Sequence, residues 1–210
     1  MLKSPENLGV IHFIGIGGIG MSGIAEILFQ SGYNVQGSDI TDGNNTNRLK
    51  KLGIKVYIGQ KKSNILNAKL VVVSTAISTK NIEYMTAKKM FLPVVHRSEM
   101  LGELMRLKQS IAIAGTHGKT TTTSLIAKMI EENGMDPTII NGGIISSLDS
   151  NAKLGNGEWM VVEADESDGS FAKLNPTVAI ITNIDLAHLD YHKSEENLER
   201  AFLHFVSSIP

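Results

Sequence analysis

The chain has 210 residues, 42% of them hydrophobic and 20% charged, a balance ordinary for a globular protein and sufficient for one large or two modest domains. A formal net charge of −1 offers no global field for nucleic acid or an anionic membrane surface, and the absence of cysteine excludes disulfides and thiolate zinc sites. The opening MLKSPENLG lacks the apolar core of a signal peptide and no run approaches a membrane span, so the cytoplasm is the expected compartment.

The first hundred residues alternate between strand and helix patterns. Residues 10–14 form an apolar strand that runs into Gly15-Ile16-Gly17-Gly18-Ile19-Gly20. A helix follows, with Ile24, Ala25, Leu28 and Phe29 on its inner stripe and Ser31-Gly32 at its end. Strands are expected at 34–38 (closing on Asp39), 55–58, 70–74 and 94–95, with helices near 46–52 and 82–89. Such alternation predicts a parallel sheet with helices on both faces, a Rossmann-like α/β domain. The glycines at 15, 17 and 20 make a G-x-G-x-x-G pattern, and Asp39 stands where an acid would meet a ribose hydroxyl. A backbone this bare can approach the pyrophosphate of NAD, FAD or a nucleotide-sugar, or it can simply let strand and helix pack closely. A nicotinamide-dependent dehydrogenase is one reading of this loop. Residues 98–108 read as a helix with Leu101, Leu104 and Met105 buried, and the domain boundary is placed near Leu107, giving domains 1–107 and 108–210.

The second half is organised by SIAIAGTHGKTTTT at 110–123. A short buried strand breaks at Gly115 and Gly118, and Lys119 opens a helix with Leu125, Ile126, Met129 and Ile130 on one face and Asn133-Gly134 as its stop. Strand, glycine turn, Lys-Thr and helix make a phosphate-binding loop, although the strict G-x-x-x-x-G-K-[ST] pattern would need glycine where Ile113 stands. In such a loop backbone amides face the phosphates, the lysine neutralises β/γ charge and a hydroxyl holds Mg²⁺. A short strand at 138–141 follows, with Gly142-Gly143 and 146–157 expected as surface loop. The strand at 159–162 ends in Glu163-Ala164-Asp165-Glu166-Ser167-Asp168. Glu163, nearest the strand end, suits a magnesium-binding acid, the alternative being an acidic surface turn. Asp165, Glu166 and Asp168 are left to substrate or to solvent. A last strand at 178–181 leads to His188, which on position alone is either a structural hydrogen-bonder or a ligand. The helix beginning near Ser194 carries a stripe of Leu198, Ala201, Phe202 and Phe205 that needs a packing partner. With three or four strands expected, the second domain reads as incomplete.

The stretches IHFIGIGGIGMSGIA, GSD (37–39), STAI (74–77), EMLGELMR, AGTHGKTTTT, VVEADESDGSF and TNIDLAHLDYH run in order over essentially the whole chain. Together they resemble the Mur ligases of peptidoglycan synthesis. The resemblance implies a Rossmann-like UDP-sugar domain followed by the first part of a P-loop ATPase domain, the family's C-terminal amino-acid domain lying outside the 210 residues. It implies that Gly115, Thr116, His117, Gly118, Lys119, Thr120 and Thr121 bind ATP, with Lys119 on the β/γ-phosphates. Thr120 and Glu163 would ligate one Mg²⁺ and His188 a second, making Lys119, Glu163 and His188 the catalytic set. Gly15, Gly17, Gly18 and Gly20 would line the UDP pyrophosphate, with Asp39 and Ser74 the positional candidates for reading the uracil. Where the family usually has an acid before the metal-binding histidine, this chain has Ala187, so the carboxylate that would orient His188 from that position is missing. The implied chemistry is ATP-dependent ligation of L-alanine to UDP-N-acetylmuramate through an acyl phosphate. Two neighbouring readings are a ligase that attaches a recycled tripeptide to the same sugar, and a fragment that binds UDP-sugar without turnover.

Overall fold

The structure is a computed structural model that describes residues 4–145, 149–185 and 189–209. The chain divides into two compact units, Met1–Met100 and Leu101–Pro210.

In the first unit the order is α1 (Pro5–Leu8), β1 (Val10–Ile14), α2 (Ile19–Gln30), β2 (Asn34–Asp39), α3 (Asn44–Lys51), β3 (Lys55–Ile58), a 3₁₀ turn (Lys62–Ile65), β4 (Ala68–Val73), α4 (Ile82–Lys89) and β5 (Val94–His96). The helix α5 (Arg97–Met105) carries the chain across the division. The strands form a parallel sheet in the order β3-β2-β1-β4-β5. Central β1 is covered on both faces, which is why Ile11, Phe13 and Ile14 are all fully buried instead of alternating. From β1 the chain winds outward through β2 and β3, then returns to β4 and β5. The reversal makes the carboxyl ends of β1 and β4 the switch point where open α/β sheets take ligands. The glycine loop follows β1 there, and Ser74 follows β4.

Beneath this sheet lies a polar network that the sequence pattern concealed. His12, Gln36, Ser38, Asn64 and Glu83 are buried together. Gln36 Nε2 faces His12 Nδ1 at 3.2 Å and Asn64 O at 2.7 Å, so the amide donates to both and the His12 ring proton sits on Nε2. That nitrogen lies 3.2 Å from Glu83 Oε2, which also accepts from Ser38 Oγ at 2.5 Å. Glu83 Oε1 accepts from Asn64 Nδ2 at 2.7 Å and from the Lys61 amide at 3.1 Å.

The second unit continues with β6 (Gln109–Ala114), α6 (Lys119–Glu132), β7 (Thr138–Ile145), β8 (Ser150–Lys153), β9 (Trp159–Glu163), a 3₁₀ turn (Ser170–Lys173), β10 (Val178–Ile181), α7 (Leu189–His192) and α8 (Glu195–Val206). Its sheet has five strands in the order β10-β6-β9-β7-β8, parallel except for β8. The α/β class therefore holds for both halves, with one antiparallel edge in the second.

Three local expectations change. Gly142-Gly143 lies inside β7, and 150–153 is a strand instead of surface loop. Its Ser150, Asn151 and Ala152 are buried, because pairing with β7 satisfies a polar segment that sequence alone assigns to water. On α6 the inward side is Thr123, Ile126, Ala127 and Ile130 against Ile113, Ile139 and Val161, while Leu125 and Met129 are 60% and 66% exposed. Finally, the α8 stripe already has its partner: Phe202 and Phe205 pack on Phe171, with ring centroids 4.9 and 5.2 Å apart. Phe171 carries no periodic signal of its own because it stands alone in a polar run.

The start of α8 is fixed by Ser194, whose hydroxyl accepts from the Asn197 amide at 3.3 Å. Ser194→Ala is expected to cost about 1 kcal/mol in urea denaturation, the usual worth of an N-cap. No helix among the described residues is long and apolar enough to cross a membrane.

Candidate active site

The phosphate-type loop of the second unit is built from the end of β6 to the start of α6. Gly115 and Gly118 have φ of 129° and 80°, values that side-chain-bearing residues rarely adopt. The segment leaving β10 clasps this loop from the side. Thr116 N donates to Asn183 O at 3.1 Å, and Asn183 brackets His117, accepting from its amide at 3.0 Å and donating to its carbonyl at 3.0 Å. Thr182 Oγ1 donates to the same carbonyl at 2.6 Å, and the Asp185 amide donates to Thr116 Oγ1 at 2.9 Å. A side chain at Gly115 would run into Thr182 and Asn183. The amides of Thr116 and His117 are thus already engaged. Those of Gly118, Lys119, Thr120 and Thr121 have no acceptor among the described residues, the first helical bond being Thr122 N to Gly118 O. The open donors lie at the positive end of α6, where an anion is stabilised.

The hydroxyl and the acid expected to share a cation do meet. Parallel pairing of β6 and β9 sets Glu163 opposite Ile113, at the sheet edge from which the loop emerges. Thr120 Oγ1 donates to Glu163 Oε2 at 2.8 Å, and the Gly142 amide donates to the same oxygen at 2.9 Å. A Cβ at Gly142 would collide with the Glu163 carboxylate, so this glycine makes room for the acid. Behind Thr120, Asn141 Nδ2 reaches Thr120 O at 3.2 Å and Ser124 Oγ at 2.9 Å. One hydroxyl and one carboxylate are hard oxygen donors of the sort Mg²⁺ takes alongside water and phosphate oxygens. Among the described residues no three His, Asp or Glu side chains gather into a ready-made metal cage.

Lys119 does not reach into open space. Its Nζ lies 2.6 Å from Gly115 O, 3.2 Å from Thr116 O and 2.9 Å from Glu166 Oε2. Glu166 is fully buried, so it is neither solvated nor open to substrate. Nothing local in the sequence marks it, because it stands in a run of acids; only the fold brings it to Lys119. His117, by contrast, is largely exposed, 3.9 Å from Asp185. His188 and Ala187 lie outside the described residues.

In the first unit, Gly15 turns with φ 79°, and the amides of Gly15 and Ile16 donate to Ser38 O at 2.8 and 2.9 Å. Asp39 faces the loop itself, its Oδ2 accepting from the Gly17 amide at 2.8 Å and its Oδ1 from the Thr41 amide at 3.3 Å. Gly18 caps α2, and Gly20 lies in its first turn, where a Cβ would stand 3.2 Å from Arg97 Nη1. A guanidinium beside a helix N-terminus adds to the positive potential there.

A Rossmann-like parallel sheet is followed by a second, mixed sheet that carries a phosphate-type loop and a Thr–Glu pair, an α/β class in both halves. Residues 10–109 match the model described as Mur ligase family, catalytic domain, and residues 113–210 match that of the Mur ligase middle domain; the chain belongs to the Mur ligase family. The UDP-N-acetylmuramate–L-alanine ligase of Parvibaculum lavamentivorans is 60% identical over 210 residues, which are all of this chain and 43% of that protein. Its counterpart in Rhodospirillum rubrum is 57% identical, over 44% of its length. Among solved structures, UDP-N-acetylmuramate-alanine ligase from Thermotoga maritima is 34% identical with a TM-score of 0.90, over 96% of this chain and 47% of that one. The UDP-N-acetylmuramate:L-alanyl-gamma-D-glutamyl-meso-diaminopimelate ligase from Neisseria meningitides is 27% identical with a TM-score of 0.89, over 97% and 69%. The chain spans less than half the length of these curated relatives.

Proposed function

We propose that this chain supplies the UDP-sugar and ATP sites of an ATP-dependent ligase joining L-alanine to UDP-N-acetylmuramate in peptidoglycan precursor synthesis. The observation that carries the reading is the Thr120–Glu163 pair beside the unengaged amides of Gly118 to Thr121. Residues 1–107 are assigned the UDP-sugar, with Gly15, Gly17, Gly18 and Gly20 at the pyrophosphate and Asp39 and Ser74 toward the uracil. Residues 108–210 are assigned ATP, with Lys119 on the β/γ-phosphates. Mg²⁺ bound by Thr120 and Glu163 would neutralise charge on the transferring phosphoryl group, and the family resemblance adds His188 for a second ion. The sugar's lactyl carboxylate attacks the γ-phosphorus, ADP leaves, and the amine of L-alanine then displaces phosphate from the acyl phosphate. Two anions must approach in the first step, which is why an ammonium and a helix N-terminus are wanted there.

The L-alanine reading is preferred to tripeptide recycling because relatives bearing that name reach 60% identity, against 27% for the tripeptide-type neighbour. Calorimetric titration with ATP, with and without Mg²⁺, and with UDP-N-acetylmuramate tests the proposal at the level of binding. Both ligands are expected to bind, ATP more tightly with Mg²⁺. Binding of NAD(P)H with no response to UDP-N-acetylmuramate would overturn the assignment of the first loop.

A further inference from the structure

An ammonium has three protons, and in Lys119 all three find acceptors within the chain: Gly115 O, Thr116 O and the Glu166 carboxylate. Two of these are carbonyls that belong to the loop itself. The third is a full negative charge from the segment after β9, three residues beyond Glu163. The Lys119 and Glu166 side chains are only 13% and 1% exposed, so the pair is shielded from solvent. Glu166 is also held from behind, its carbonyl accepting from His192 Nε2 at 2.9 Å and from the Gly169 amide at 3.0 Å. The carboxylate is therefore a fixed part of the loop's wall and not a passing surface partner.

A triphosphate delivers its own anionic oxygens to the same ammonium. Two anions close to one another repel strongly where water is scarce, so carboxylate and phosphate compete for Nζ. We propose that Glu166 is a positioning residue that acts through Lys119: it is the resident counterion that keeps the ammonium folded into the loop, and nucleotide binds by exchanging the carboxylate for a phosphate oxygen. The proposal rests on reading residues 115–121 as the ATP site, and it adds an acid whose charge opposes ATP binding. A merely structural ion pair would alter stability and leave nucleotide affinity where it was.

The test is Glu166→Gln, which keeps the shape and one acceptor but removes the charge. Affinity for ATP without Mg²⁺ is measured by calorimetry, beside the thermal midpoint, in the original chain, Glu166→Gln, Lys119→Met and the double variant. Glu166→Gln is expected to bind ATP about tenfold tighter, because Lys119 then parts from a neutral acceptor instead of a charged one before it meets a phosphate. In the Lys119→Met background most of that gain should vanish. Unchanged or weaker binding by folded Glu166→Gln, or an equal gain with and without Lys119, overturns the proposal. A crystal structure of the unsubstituted chain with a non-hydrolysable ATP analogue decides the matter even if the variant fails to fold. Lys119 Nζ should then contact a phosphate oxygen and have left Glu166; an ion pair retained beside the bound phosphates overturns the exchange. Phosphates bound elsewhere would instead sink the ATP assignment itself.

Discussion

Glu83→Ala is expected to destabilise the first unit by on the order of 3–5 kcal/mol, the range for breaking a buried charged network by removing one partner. The side chain accepts from Asn64, Lys61, Ser38 and His12, and truncating it takes away their common acceptor inside a largely buried network. The loss should appear as a lower urea midpoint by far-ultraviolet circular dichroism, and an unchanged midpoint would refute the account. The same carboxylate gives stability a pH dependence. Burial alone pushes the Glu83 carboxyl up, but hydrogen bonds from His12, Ser38 and Asn64 outweigh it and hold the group below its ordinary value of 4.5. A depressed folded value means that the contribution is complete above the ordinary carboxylate range and is lost as pH falls through the folded value. Stability should therefore decline on acidification below about pH 4.5, and Glu83→Gln should flatten that decline. Ser38 ties this network to the glycine loop, because its carbonyl accepts from the Gly15 and Ile16 amides.

The second large effect is expected at Glu163. Removing its carboxylate deprives Thr120 Oγ1 and the Gly142 amide of their common acceptor and takes away the one anionic oxygen donor of the pair. Glu163→Ala should lose on the order of 100-fold in ATP affinity at saturating Mg²⁺, in keeping with the several kcal/mol such an ion supplies. Affinity without the metal should change much less. Paired titrations with and without Mg²⁺ measure both, and a variant that kept the full metal dependence would end the Thr120–Glu163 assignment.

Much of the architecture could be read from residue pattern because the informative segments were unambiguous. Buried strands such as 10–14 and 111–114 are continuous apolar runs closed by glycine, and in a parallel sheet that pattern has few other meanings. The Thr120–Glu163 meeting followed from two strand ends pointing the same way. What stayed hidden depended on long-range partners. Strand β8 consists of Ser-Asn-Ala-Lys, whose burial is decided by β7 and not by its own polarity. Leu125 and Met129 look as inward as Ile126 until the sheet selects which side of α6 it covers. Glu166 sits in a run of acids where nothing local distinguishes a buried counterion from a solvated one. Asn183 is likewise one polar residue among several until its amide is seen bridging His117.

The grip of Thr182, Asn183 and Asp185 on the phosphate loop has a thermodynamic corollary. These residues leave β10, the rim strand of its sheet, and head directly toward the stretch that contains His188. A ligand seated on the loop would meet a backbone already tied to the rim of the sheet, so part of the ordering cost of binding is met in advance.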